Sequence, residues 1–149
     1  GVYPTPGIPR GVSVRPALSW KSRVVYFKVI QPGHPVGYGS KWQSDHPVRA
    51  VTVPVGYGDG YFRAMSHKAQ VLLRGKKYPV VGTISMDQVV INIEGDSAYN
   101  DDEVVLIGEQ GDEAITCEDL AEWAGTIPYE ILTNINTRVP RLYTNPPTL

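Results

Sequence analysis

The sequence predicts a mainly β, barrel-like domain with one or two short helices near its C-terminus. Three observations carry that expectation. Runs rich in β-branched and aromatic residues recur at short intervals. Fifteen glycines and thirteen prolines lie between those runs rather than in one tract, as turn punctuation does. Apolar residues at helical spacing occur only after residue 116. A chain of 149 residues is one domain's worth, and buries about 70% of its unfolded surface without needing staples.

Residues 1–16 carry four prolines and three glycines among few core-type residues, and read as a linker or arm. The domain proper spans 17–144, with 145–149 as a tail. Its first strand is expected at 22–30 (SRVVYFKVI) and its second at 48–55, where Pro54 demotes the end to an edge or bulge. Residues 70–74 and 77–81 flank Gly75 as a hairpin does. Residues 85–93 form a further strand, and 103–107 a short buried one ending at Gly108. Thr116 and Asp119 make a near capping box, Leu120, Ala121, Trp123 and Ala124 follow at helical spacing, and Gly125 ends the helix. A second short helix starts with Pro128 as its first residue and closes near Asn134.

Several function classes are disfavoured. Fourteen basic against fifteen acidic residues leave no basic excess for nucleic acid. No apolar run approaches a membrane span. The single Cys117 cannot form an internal disulfide, and a reducing compartment is expected. Near a helix start its thiol pKa could fall, but beside Leu120 and Trp123 a small packed hydrophobe is the commoner outcome. His34, His46 and His67 lack metal-ligand spacing and read as loop residues, so no metal is expected. Asp101, Asp102 and Glu103 lack the alternation of a calcium loop. No G-x-S-x-G elbow is present. The chain opens on Gly1 rather than Met and is expected to be a piece of a longer protein.

Two tyrosines stand out. Gly37-Tyr38-Gly39 and Gly56-Tyr57-Gly58-Asp59-Gly60 place a phenol between glycines at strand ends, where the ring can project from a sheet rim. The plainer alternative is a pair of turns carrying exposed aromatics. A tyrosine acting as base, from a reference pKa of about 10, needs nearby cations or an acidified substrate proton. A third run leads from Tyr78-Pro79-Val80-Val81-Gly82-Thr83 into Met86-Asp87-Gln88. An aspartate there caps a turn or pairs with a cation, while the Met86 N–H could face a carboxylate ligand.

Taken in order, these runs resemble alanine racemase. The resemblance rests on Arg15-Pro16-Ala17-Leu18-Ser19-Trp20-Lys21-Ser22-Arg23, Val36-Gly37-Tyr38-Gly39, and Gly56 through Tyr61 with Arg63. It continues through Pro79-Val80-Val81-Gly82, Ser85-Met86-Asp87-Gln88, Val105-Leu106-Ile107-Gly108, Ile127-Pro128-Tyr129-Glu130 and Arg138-Val139-Pro140-Arg141. It covers roughly residues 11–143 and only the family's C-terminal β-domain. The N-terminal (β/α)₈ barrel, with the lysine that holds pyridoxal phosphate, has no counterpart here. Gly1-Val2-Tyr3-Pro4 resembles the barrel's last segment.

The resemblance implies a cytoplasmic homodimer that interconverts L- and D-alanine by two-base proton transfer, making D-alanine for peptidoglycan precursors. Pyridoxal phosphate acts as electron sink. Tyr38 would remove the α-proton of the L-enantiomer at the partner subunit's cofactor. The Met86 N–H would hold the substrate carboxylate, and Asp87 would orient this strand end. Tyr57, Asp59, Arg63 and Thr83 would line or neighbour the entrance. Thr83 stands where an arginine often guards it. Thr137 stands where well-known members carry a tyrosine touching the cofactor phosphate; its hydroxyl reaches less far. The implied partners are the N-terminal barrel, a second subunit and a small amino acid, with no nucleic acid and no membrane. The competing readings are a serine or broad-specificity racemase and, from another class, a stand-alone β-barrel that binds peptide or sugar. Whether Tyr38, Tyr57, Met86 and Asp87 converge on one rim separates the last from the others. The isolated chain is expected to be inactive.

Overall fold

A computed structural model describes residues 1–3, 11 and 13–144. Residues 4–10 and 12 of the expected arm, and the tail at 145–149, lie outside the described residues. The strands are β1 (Trp20–Arg23), β2 (Tyr26–Ile30), β3 (Val48–Val53), β4 (Gln70–Leu73), β5 (Lys76–Val81), β6 (Val89–Glu94), β7 (Glu103–Gln110) and β8 (Glu113–Ile115). Two helices follow, α1 (Cys117–Ala124) and α2 (Pro128–Asn134). All pairings are antiparallel, in the order β1-β7-β4-β5-β6-β3-β2 with β8 on β7.

The expected first strand is two strands. Val24 donates to the Asp102 carbonyl and Val25 to the Thr52 carbonyl, so the chain changes partner between adjacent residues. β1 and β2 stand at opposite ends of the strand order, yet only Val24 and Val25 separate them. The sheet therefore curls until its ends share a corner, which makes it barrel-like without closing the ladder.

Other boundaries moved for local reasons. β7 runs through Gly108 instead of stopping there. A Cβ at Gly108 would lie 3.0 Å from that of Ser19, so this glycine permits a close approach beside the irregular register at Trp20 and Lys21. β8 was not expected; it returns from β7 through the two-residue turn at Gly111 and Asp112. β6 begins only at Val89, because residues 85–88 form a turn in which the Ser85 hydroxyl accepts from the Gln88 N–H and donates to the Gln88 carbonyl. The helices follow the sequence closely. Thr116 and Asp119 exchange capping hydrogen bonds at 3.1 and 2.7 Å, and Pro128 opens α2.

Alternation on the strands creates two cores. Val51, Val53, Ile91 and Val80 face the main core with Leu72, Leu106, Leu120 and Ile131. Val48, Ala50 and Val81 face the other side and pack with Ile30 and Val36, flanked by Trp42 and Val90. That smaller cluster holds the long connection between β2 and β3 across the outer face of the sheet. The connection consequently reaches the rim where β5 ends and β6 begins.

Candidate active site

At that rim the segment from Gly82 to Asp87 touches the Tyr38 turn, the Arg63–Ser66 turn, the Tyr57 turn and Arg138. Thr83 donates its hydroxyl to the Tyr38 carbonyl at 2.9 Å. The Ile84 N–H donates to the Ser66 hydroxyl at 3.0 Å, which in turn bonds the Arg63 carbonyl. The Ser85 carbonyl accepts from the Tyr57 N–H at 3.0 Å, and the Met86 carbonyl from the Gly58 N–H at 2.9 Å. Asp87 accepts from the Arg138 guanidinium at 2.7 Å. Five consecutive residues thus each make a bond across the rim.

Glycine makes these approaches possible. Gly37 has φ of 75°, and a Cβ on it would lie 2.9 Å from the Thr83 nitrogen. A Cβ on Gly56 would lie 2.3 Å from the Ser85 carbonyl oxygen, too close for any side chain. The two glycine-flanked tyrosines are therefore turns, as their composition suggests, and are docked on one common segment as well.

Tyr38 sits in the tight turn Tyr38–Ser40 and is 72% exposed. Tyr57 and Met86 are also exposed. Neither the Tyr38 hydroxyl nor the Met86 N–H makes a hydrogen bond among the described residues. Arg63 begins the turn Arg63–Met65 with its side chain exposed and unpaired among the described residues. Thr83 is half-buried and committed to the Tyr38 backbone. Thr137 is exposed, and its hydroxyl donates to the Asn136 side-chain oxygen at 3.3 Å.

Asp59 and Asp87 are joined through a residue the sequence reading quoted but assigned no role. Arg138 donates from Nε to Asp59 at 2.7 Å and from Nη2 to Asp87 at 2.7 Å and to the Met86 carbonyl at 3.3 Å. The Asp59 carboxylate also accepts from the Gly56 N–H, closing its own turn. Hydrogen bonds donated to these two carboxylates, Asp59 first, raise the Arg138 pKa above its ordinary value. The contacts span 79 and 51 residues of sequence, so no local spacing announces them. The only sequence signal is one arginine available to two turn aspartates.

Elsewhere the chemistry is quiet. Burial, then Glu118, pushes the Cys117 thiol up to about 11, and its Sγ donates to the Pro128 carbonyl. It is a packed side chain rather than a nucleophile. All three histidines are exposed, and among the described residues no three His, Cys, Asp or Glu side chains gather as a metal site requires. A cavity of about 960 Å³ lies away from the rim between Val2, Leu18, Ile107, Ile115 and Leu132. It contains none of the expected site residues. Its lysine, Lys21, is tied to Glu103. The open rim, with its free phenol and amide, carries more chemistry than this hollow.

Comparison with known proteins gives the same assignment. Residues 17–143 match the family model "Alanine racemase, C-terminal domain". The alanine racemase of Symbiobacterium thermophilum is 46% identical over 144 residues, covering 96% of this chain and 38% of that protein. The crystal structure of alanine racemase from Streptomyces lavendulae superposes with a TM-score of 0.91 at 38% identity, covering 98% of this chain and 39% of that one. That of the Bartonella henselae alanine racemase, with covalently bound pyridoxal phosphate, superposes with a TM-score of 0.79 at 33% identity, covering 85% and 34%. The chain spans about two fifths of the length of these relatives. It belongs to the alanine racemase family, as the family's C-terminal domain.

Proposed function

We propose that this chain is the part of a full-length alanine racemase that brings a tyrosine base and a carboxylate donor to the partner subunit's active site. The whole enzyme is a cytoplasmic homodimer that interconverts L- and D-alanine and feeds peptidoglycan precursor synthesis. The observation that supports this reading is that the Tyr38 and Tyr57 turns both dock on the segment from Gly82 to Asp87, which itself carries Met86 and Asp87. A peptide- or sugar-binding module has no need to gather a free phenol, a free backbone amide and a clamped aspartate at one rim.

Each residue has a part. Tyr38, as its phenolate, takes the α-proton of L-alanine onto its oxygen, and the resulting neutral phenol returns that proton when the reaction runs the other way. Its turn is stapled by Thr83, so the phenol's origin is fixed while the ring stays free. The Met86 N–H binds the substrate carboxylate as a fixed neutral donor. Tyr57, Arg63 and the Asp59 turn line the approach. Thr83, half-buried and bonded to the Tyr38 backbone, leaves the entrance without an arginine guard and favours a slightly wider substrate range than alanine alone.

The fit to pyridoxal phosphate is partial and specific. Lys41 directly follows the Tyr38 turn, with its side chain beside Gly39, while Lys21, Lys76 and Lys77 are tied up in ion pairs. The resemblance points to the exposed Thr137 hydroxyl as a contact from this chain, and the cofactor is held mainly by the barrel. When bound, it would supply the electron sink that makes the α-proton acidic enough for a tyrosinate to remove.

The test is racemisation of alanine by the full-length protein and by this chain alone. Activity of the full-length protein, with none from the isolated chain, is expected. Activity of the isolated chain would end the two-domain reading.

A further inference from the structure

Two consecutive peptide groups of the Met86 turn are held by their carbonyls. The Ser85 carbonyl accepts from the Tyr57 N–H at 3.0 Å, and the Met86 carbonyl accepts from the Gly58 N–H at 2.9 Å and from Arg138 at 3.3 Å. A trans peptide is planar, with its N–H opposite its C=O. Pinning the Ser85 carbonyl against the Tyr57 turn therefore aims the Met86 N–H away from that turn, toward the open side of the rim. The aim is only as steady as the distance between the Tyr57 turn and the Met86 turn.

Arg138 braces that distance beside the two backbone hydrogen bonds. Its guanidinium spans the two turns, holding Asp59 on one side and both Asp87 and the Met86 carbonyl on the other. Asp59 is itself locked, its side chain accepting from Gly56 and its carbonyl from the Asn136 N–H. Arg138 is held in turn, its own N–H donating to the Asn136 side chain at 3.2 Å. Space has been left for the guanidinium: a Cβ on Gly58 would lie 2.6 Å from Nη2. A planar fork with several donors can bridge three acceptors in this way, whereas a lysine ammonium is a point charge on a flexible stem.

We propose that Arg138 is a positioning residue for substrate binding, clamping the Asp59 and Asp87 turns together so that the Met86 N–H stays aimed at the substrate carboxylate. The inference rests on the role given to Met86 above. It predicts an effect on carboxylate binding with little effect on proton transfer, since Tyr38 is held by Thr83 and not by Arg138.

The experiment uses the full-length holoenzyme with Arg138→Met, Arg138→Lys and Asp87→Asn. KM and kcat for alanine are measured in both directions, with the inhibition constant of propionate, which shares the carboxylate and lacks the amine. In Arg138→Met, KM and the propionate constant should rise together by roughly tenfold, the size expected when one hydrogen bond to a charged group is misaimed. The value of kcat should change by less than about threefold. Arg138→Lys should recover only part of the loss, and Asp87→Asn should move the same two constants by less. If Arg138→Met does not fold, the Lys and Asn variants carry the test. Unchanged KM and propionate constants in variants that bind cofactor normally would overturn the clamp alone. So would a fall in kcat with KM unchanged. A wild-type enzyme that propionate does not inhibit would overturn the Met86 role itself, and the clamp with it.

Discussion

At the residue scale, Tyr61 shows how packing and polarity conflict inside the site's support. It is fully buried, meets Trp20 edge-to-face at 5.9 Å between ring centroids, and its hydroxyl finds no hydrogen-bond partner among the described residues. Burial alone raises its pKa, so it stays a neutral phenol. An unpaired buried hydroxyl costs about 1 kcal/mol or more. Tyr61→Phe should therefore stabilise the isolated chain by about 1 kcal/mol in urea unfolding. A loss of stability would mean the hydroxyl is satisfied after all. His46 makes a second residue-scale prediction. Its pKa is raised above the ordinary 6.5 by hydrogen bonding to Glu94 first and then Asp45. A raised pKa means the protonated ring is the favoured folded form. The contribution of this bridge is fully present below pH 6.5 and lost as pH rises through the folded-state pKa. The ring is exposed, so the effect is small. Unfolding of wild type and His46→Gln from about pH 6 to about pH 9 should converge at the alkaline end.

At the element scale, local signals were legible and distant pairings were not. The capping box at Thr116 and Asp119, the proline opening α2, and the alternation on β3 are all written within a few residues, because each reflects short-range geometry. Thr116→Ala should cost about 1 kcal/mol in thermal or urea unfolding, chiefly from α1. The corner at Val24 and Val25 was read as strand interior, because β-branched residues suit either side of a partner change. β8 is only three residues long, below what pattern can detect. The candidate site divides in the same way. The glycine-flanked tyrosines and the Met86 turn carry local marks, so they could be picked out. Arg138 could not, because its value depends on two aspartates that only the fold brings to it. Thr83 reads from the sequence as an altered entrance residue, and the fold adds a hydrogen bond by which its hydroxyl staples the Tyr38 turn. Thr83→Val in the full-length enzyme should lower kcat severalfold by loosening that turn, about 1 kcal/mol of hydrogen bonding. Equal turnover in both proteins would leave the staple without a catalytic role.

At the scale of the whole molecule, the sheet's curl and the second small core explain why an exposed tyrosine sits where it does. The connection between β2 and β3 crosses the outer face on Ile30, Val36, Val48, Ala50 and Val81, and so delivers Tyr38 to the rim at the end of β5. Such a rim, with its phenol and amide facing outward, suits a site completed by another surface. That arrangement can be tested by mixing subunits. A full-length subunit carrying Tyr38→Phe, paired with one lacking the cofactor lysine, should recover one working site per hybrid dimer. Hybrids with no activity would place Tyr38 at its own subunit's cofactor.

The central claim is that Tyr38 is the base for the L-enantiomer, and solvent α-deuterium exchange in the full-length enzyme tests it most directly. Tyr38→Phe should lose exchange into L-alanine by about a hundredfold or more, while abstraction of the α-proton from D-alanine persists. Exchange into L-alanine at the wild-type rate would contradict the account, and the glycine-flanked tyrosine would be a turn and nothing else.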